Sequence, residues 1–220
     1  MNNKNLNVQL ISVKYIILIF FIIFNLSLNL FGKEILKYNG NLYDYKGEII
    51  LTKEEVEDFY IYTLGIDTYK EFFKINKEYE TIYWELFAPR DDTFVIGKNK
   101  GDFIELSGKF RGKELKREIL LKGDKWIQIL PFGLGKTSDE EYFRIIATVG
   151  PRAMYSGRML SKNMGLEEIT VNNKTYKVNR IRLRLTGIFS FLWNGEYWYK
   201  LEDNILIKLE DSGSKLEIIK

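Results

Sequence analysis

Residues 93–130, TFVIGKNKGDFIELSGKFRGKELKREILLKGDKWIQIL, decide the fold class. Short apolar-rich runs follow one another here: Thr93 to Ile96, Phe103 to Leu106, Leu115 to Leu121 and Trp126 to Leu130. Between them lie Lys98-Asn-Lys-Gly101, Arg111-Gly112-Lys113 and Lys122-Gly-Asp124. Short runs bounded by Gly and Asn read as strands. Connections this brief force antiparallel neighbours, because a parallel crossover needs a dozen residues or more. The stretch is a meander.

The same pattern extends in both directions. Upstream, Phe72 to Phe87 reads as one long strand, with Ile82, Trp84 and Leu86 on one face, and Ile35 to Tyr43 as a first strand broken at Asn39-Gly40. Downstream, Ile169 to Val171 and Tyr176 to Leu185 form a hairpin around Asn172-Asn173-Lys174. Tyr197 to Leu201, Ile205 to Leu209 and Leu216 to Ile219 complete the sheet. Two helix starts interrupt it. Thr52-Lys-Glu-Glu55 and Ser138-Asp-Glu-Glu141 both have capping-box spacing. The first predicts a short helix through Val56, Phe59, Tyr60 and Leu64, although Phe59 to Leu64 is aromatic enough to be a strand instead. The second predicts a helix through Tyr142, Phe143, Ile145, Ile146 and Val149. The expected fold is all-β, with two short helices beside a curved antiparallel meander sheet.

The N-terminus has a different composition. Residues 1–32 carry only Lys4 and Lys14 as charges, and Tyr15 to Phe24 is an unbroken apolar run. Asn25, Ser27 and Asn29 follow before Lys33-Glu34. This is the charged, apolar and polar order of an export signal. Ten apolar residues fall short of a membrane span. Extension to Phe31 reaches the low end of one, so the alternative to a cleaved signal is an inner-membrane anchor over 15–31. The expected location is the periplasm or another exported compartment, with residues 33–220 as one antiparallel β domain. Of the +3 formal charge, Lys4 and Lys14 account for two, leaving 31 basic against 30 acidic residues in 33–220. Such a balance gives no argument for nucleic acid.

The chain holds no Cys and no His. That excludes thiolate nucleophiles, disulfides, Cys/His zinc sites and a Ser-His-Asp triad. Gly133-Leu-Gly135-Lys136-Thr137 imitates the end of a phosphate-binding loop, but Leu130 stands where the spacing requires Gly. No nucleotide, metal or cofactor is expected. The acidic pairs have the scatter of a solvated surface. The chain reads as a non-enzyme, with a carboxylate-based hydrolase as the remote alternative.

Two features suggest binding. Trp84, Trp126, Phe143 and Trp198 belong to a chain that is 15% aromatic. Aromatics at this density fill a core or line an apolar groove. Met154 and Met159, with Met164, sit in a soft segment that reads as a connecting loop or a flap over such a groove. Arg180, Arg182 and Arg184 alternate with Ile181, Leu183 and Leu185, which sets three guanidinium groups on one strand face. They read as an anion stripe or as a solvated face paired with Glu on neighbouring strands.

Several stretches carry a resemblance: Lys125-Trp126-Ile-Gln-Ile-Leu130, Ser138-Asp-Glu-Glu-Tyr-Phe143, Gly165-Leu-Glu-Glu-Ile-Thr-Val-Asn-Asn173, Leu185-Thr-Gly187 and Glu196-Tyr-Trp-Tyr199. Together they resemble bacterial exported proteins of unknown function whose fold is similar to the periplasmic lipoprotein carriers LolA and LolB. That resemblance implies a half-open barrel with helices plugging its concave side, and a lipid or acyl-chain ligand. The expected function is a non-catalytic envelope carrier of an apolar or amphipathic ligand. The alternative is an assembly factor that binds envelope proteins through a sheet edge. An apolar cavity of several hundred Å³ would favour the carrier, and a filled interior would favour partner binding.

Overall fold

The computed structural model describes residues 33–42, 45–66, 69–128, 134, 139–149, 153–187, 190 and 193–219. Residues 1–32, read above as an export signal, the Gly133–Thr137 stretch apart from Leu134, and Ser138 lie outside these residues. The first eight strands are β1 (Lys33–Leu42), β2 (Tyr45–Val56), β3 (Phe59–Ile66), β4 (Tyr69–Asn76), β5 (Thr81–Ala88), β6 (Thr93–Asn99), β7 (Phe103–Phe110) and β8 (Lys113–Leu120). Then come β9 (Lys125–Trp126), β10 (Glu140–Val149), β11 (Ala153–Val171), β12 (Lys174–Leu185), β13 (Asn194–Lys200), β14 (Leu206–Asp211) and β15 (Lys215–Ile218). A 3₁₀ turn spans Pro89–Asp91.

All fifteen strands join one sheet in the order β8-β7-β6-β5-β4-β3-β2-β1-β15-β14-β13-β12-β11-β10-β9. Neighbours are antiparallel except β9 and β10. Strands pack about 4.8 Å apart, so this sheet laid flat would be about 67 Å wide. Its two edges, β8 and β9, are separated in the chain only by residues 121–124. Such a link spans at most about 18 Å. The sheet therefore curls until its edges adjoin, yet no ladder joins β8 to β9, and it is not closed into a barrel.

Curling turns one face inward. Register identifies it: Tyr38 lies opposite Ile49, Leu51 opposite Leu64, Tyr62 opposite Phe73 and Phe73 opposite Trp84. From the other half come Ile181, Leu183, Tyr197, Tyr199, Leu209 and Leu216, all buried in the same core. Contacts across the interior fasten the halves. Trp126 packs beside Trp84 over Gly97, where an added Cβ would meet the two indoles at 2.8 and 3.2 Å. The Gln128 backbone N–H donates to Thr81 Oγ1 at 2.9 Å. Arg117 Nη1 donates to the Met154 carbonyl at 2.9 Å. Asp124, between β8 and β9, receives Arg158 at 3.0 Å and Arg144 at 3.3 Å.

Both edges are guarded. Alternating charges line β8, Lys113, Glu114, Lys116, Arg117 and Glu118, which discourages strand pairing. On the other edge the Gln128 carboxamide imitates a strand. It donates to the Ile146 carbonyl at 2.8 Å and accepts the Ile146 N–H at 3.0 Å.

Several expectations are corrected. Neither capping-box segment is helical. Thr52 to Val56 ends β2, Glu57-Asp58 turns with Glu57 at φ 42°, and β3 follows. Alternation explains it: Tyr62 and Leu64 point to the core while their neighbours do not, and Tyr, Ile and Thr suit a pleated surface. The second segment is β10, where Ile145 and Ile146 are β-branched residues that suit a strand. Phe72 to Phe87 is two strands, split by a turn in which Asn76 Oδ1 accepts the N–H groups of Glu78 and Glu80. Asn39-Gly40 makes no turn. Gly40 continues β1 at φ 153°, where a Cβ would lie 1.9 Å from the Lys215 carbonyl oxygen. The Met154–Met164 segment is no flap, because it belongs to the 19-residue strand β11.

Candidate functional site

The sequence-selected aromatics all lie in one buried cluster. Trp84, Trp126, Phe143 and Met159 are at most 2% exposed and belong to one core, with Phe143 directly opposite Met159. Met154 is buried as well. Trp198 is buried too, in the same cluster. It pairs with Arg180, whose guanidinium lies 5.6 Å from its ring centre, with the Lys208 ammonium at 5.0 Å. Its indole N–H donates to Glu167.

Arg180 and Arg182 share one carboxylate. Their Nε atoms donate to the two oxygens of Glu196 at 2.8 and 2.6 Å. The bond to Glu196 raises the Arg180 pKa further. Arg184 lies opposite Asn194. Two of the three guanidinium groups in the stripe therefore take part in a cross-strand charge ladder.

Charge also enters the interior. Glu71 of β4 stands between Leu64 and Leu86 on the inward face. Burial pushes its carboxyl up to about 8, with the Trp84 indole pulling weakly the other way.

Among the described residues, one open space lies at one end of the interior. A cleft of about 250 Å³ forms where β2 and β3 face the β13–β14 turn. Tyr60 of β3 and Tyr79 of the β4–β5 turn form one wall, stacked at 5.6 Å with 20° between their planes. Lys53 and Lys77 hold their ammonium groups 5.2 and 4.2 Å from the Tyr60 ring centre. Lys77 is also paired with Glu55, which raises the Lys77 pKa and lowers that of Glu55.

The opposite wall is the turn Lys200–Asn204. Lys200 is bonded to Asp203 at 2.7 Å and Glu202 at 2.9 Å, and these raise its pKa. Asn204 sits at φ 61°, a conformation Asn tolerates, and its N–H closes the turn on the Lys200 carbonyl at 3.0 Å. Asn179 of β12 reaches the same cleft. It is 8% exposed, and its Oδ1, like Nδ2 of Asn204, is buried without a hydrogen-bond partner.

Sequence reasoning passed over this end. The readable signal was Asn179, since Asn179, Ile181, Leu183 and Leu185 share one strand parity and only the first is polar. Tyr60, Tyr79 and Asn204 gave no such signal, because their meeting depends on the curl. Among the described residues, no group of three or more Asp or Glu is placed to hold a metal ion. Comparison with known proteins returned no matching family model, no matching curated protein and no matching solved structure.

Proposed function

We propose that this chain is a non-catalytic binding protein of the cell envelope, exported by residues 1–32, that takes the polar end of an amphipathic ligand in the cleft beside Tyr60 and Tyr79. The cleft itself carries the reading. It combines an aromatic wall, two ammonium groups and two amides, each with one atom lacking a partner, in one concavity. At about 250 Å³ it lies just below the usual range for a whole drug-sized ligand and suits one ring or head group. Trp84, Trp126 and Phe143 are packed in one buried cluster and do not line this cleft. The likeness to the lipoprotein carriers rests, in this proposal, on the curled antiparallel sheet.

The buried packing of Trp84, Trp126 and Phe143 also favours a second reading, an assembly factor that binds envelope proteins. Its docking place would be the outer row of Phe87 opposite Phe94, 47% and 42% exposed, since both sheet edges are guarded. One experiment separates the two. The full chain is incubated with detergent-solubilised envelope lipid and examined by native mass spectrometry. The proposal expects one retained amphiphile, lost in Tyr60→Ala and kept in Phe94→Ser. No retained mass, or retention that ignores Tyr60, would overturn it.

A further inference from the structure

We infer that the cleft is a saccharide subsite, in which the amides of Asn179 and Asn204 bind neighbouring hydroxyls of one sugar ring. The inference rests on the proposed binding role of the cleft and names the chemistry of its ligand.

Asn179 is the central observation. It stands on the inward face of β12 directly opposite Tyr199, which is fully buried. Asn is uncommon in strand interiors, and an amide oxygen buried without a donor is disfavoured. Asn204 has a local reason to be Asn, its left-handed turn conformation. That reason does not account for its unpaired Nδ2. The two atoms form a complementary set, one acceptor and one donor. A terminal amide rotates in a broad, shallow torsional well, so a small turn brings each atom to the cleft lining.

The ligand must then offer a donor and an acceptor close together, which vicinal hydroxyls do. Charge supports a neutral partner. Lys53 and Lys200 on the lining are balanced by Glu202 and Asp203, and Lys200 is already bonded to both acids. A phosphate would find no free pair of cations on that wall, whereas hydroxyls accept from the ammonium groups and donate to the carboxylates. The size fits one ring.

The sugar is either free or the head of a glycolipid, and the test separates these sources. The full chain is titrated with glucose, galactose and N-acetylglucosamine, with vesicles of a monoglycosyl diglyceride, and with phosphatidylglycerol vesicles. Affinity is read by calorimetry and the site by the side-chain amide resonances of Asn179 and Asn204. Binding of a sugar or of the glycolipid, with shifts at both amides, supports the inference. Asn179→Leu is expected to lower affinity at least tenfold while its Tm stays equal or rises. Asn204→Gly, which keeps the turn, is expected to do the same to affinity. Sugar binding unchanged in both variants overturns the inference. Binding of phosphatidylglycerol alone overturns it and leaves the envelope-binding reading in place. No binding of any probe removes both.

Discussion

Replacing Glu71 by Gln should flatten the pH dependence of stability. Glu71 faces inward between Leu64 and Leu86, and its carboxyl is raised from an ordinary value of 4.5 to about 8. The folded chain therefore holds this proton over a range in which the unfolded chain has released it. Stability is greatest below the unfolded pKa and falls as pH rises toward the folded one. Between these limits the slope is about 1.4 kcal/mol per pH unit, so the full span is worth roughly 5 kcal/mol. Part of the residue remains in contact with solvent, and screening reduces the figure to about 3 kcal/mol. Gln keeps the shape and cannot ionise. The assay is urea unfolding at half-unit intervals from pH 5 to pH 9, with wild type and Glu71→Gln compared at each point. Their difference should widen steadily by about 3 kcal/mol in favour of the variant, and level off above pH 8. A constant difference would refute the reasoning, because it would mean that Glu71 is ionised in the fold at every pH.

Other substitutions test the closure of the sheet and the role of its outer face. Gly97→Ala should cost about 1–3 kcal/mol by overpacking, since its methyl would meet Trp126 at 2.8 Å; unfolding midpoints equal to wild type would show that the two indoles do not meet there. Gln128→Ala should cost about 2–4 kcal/mol and speed hydrogen exchange at Ile146, which loses both edge bonds. Slow exchange at Ile146 in that variant would mean that the β10 edge is covered by something else. Asp124→Asn should cost about 1–2 kcal/mol, because Asp124 is buried under two guanidinium groups of which only Arg144 is itself sheltered. Arg182→Glu should leave the preference between anionic and zwitterionic vesicles unchanged, because Arg182 is bonded to Glu196. A large loss of anionic binding would restore the stripe as a site.

The all-β class was legible because turn residues punctuate residues 93–130 at short intervals and each run shows one inward parity. Helix prediction failed where two periods coincided. Val56, Phe59, Tyr60 and Leu64 fall at helical spacing, but Tyr60, Tyr62 and Leu64 also alternate, and the sheet on either side supplied partners for the second pattern. Met154 and Met159 misled for a related reason: five residues apart, they lie on opposite strand faces, and both are nevertheless buried. Trp198 shares its strand parity with Arg180, yet it is buried in the same cluster as Trp84. The cleft was invisible because it joins β2, β3 and β12 with two turns that only the curl of the sheet brings together.

The most direct measurement is a crystal structure of the full chain purified from cells without delipidation. The expected result is ligand density bounded by Tyr60, Tyr79, Asn179 and the Lys200–Asn204 turn. Density lying instead between Trp84 and Trp126, or along Arg182 on the outer face, would contradict the assignment of this cleft as the binding site.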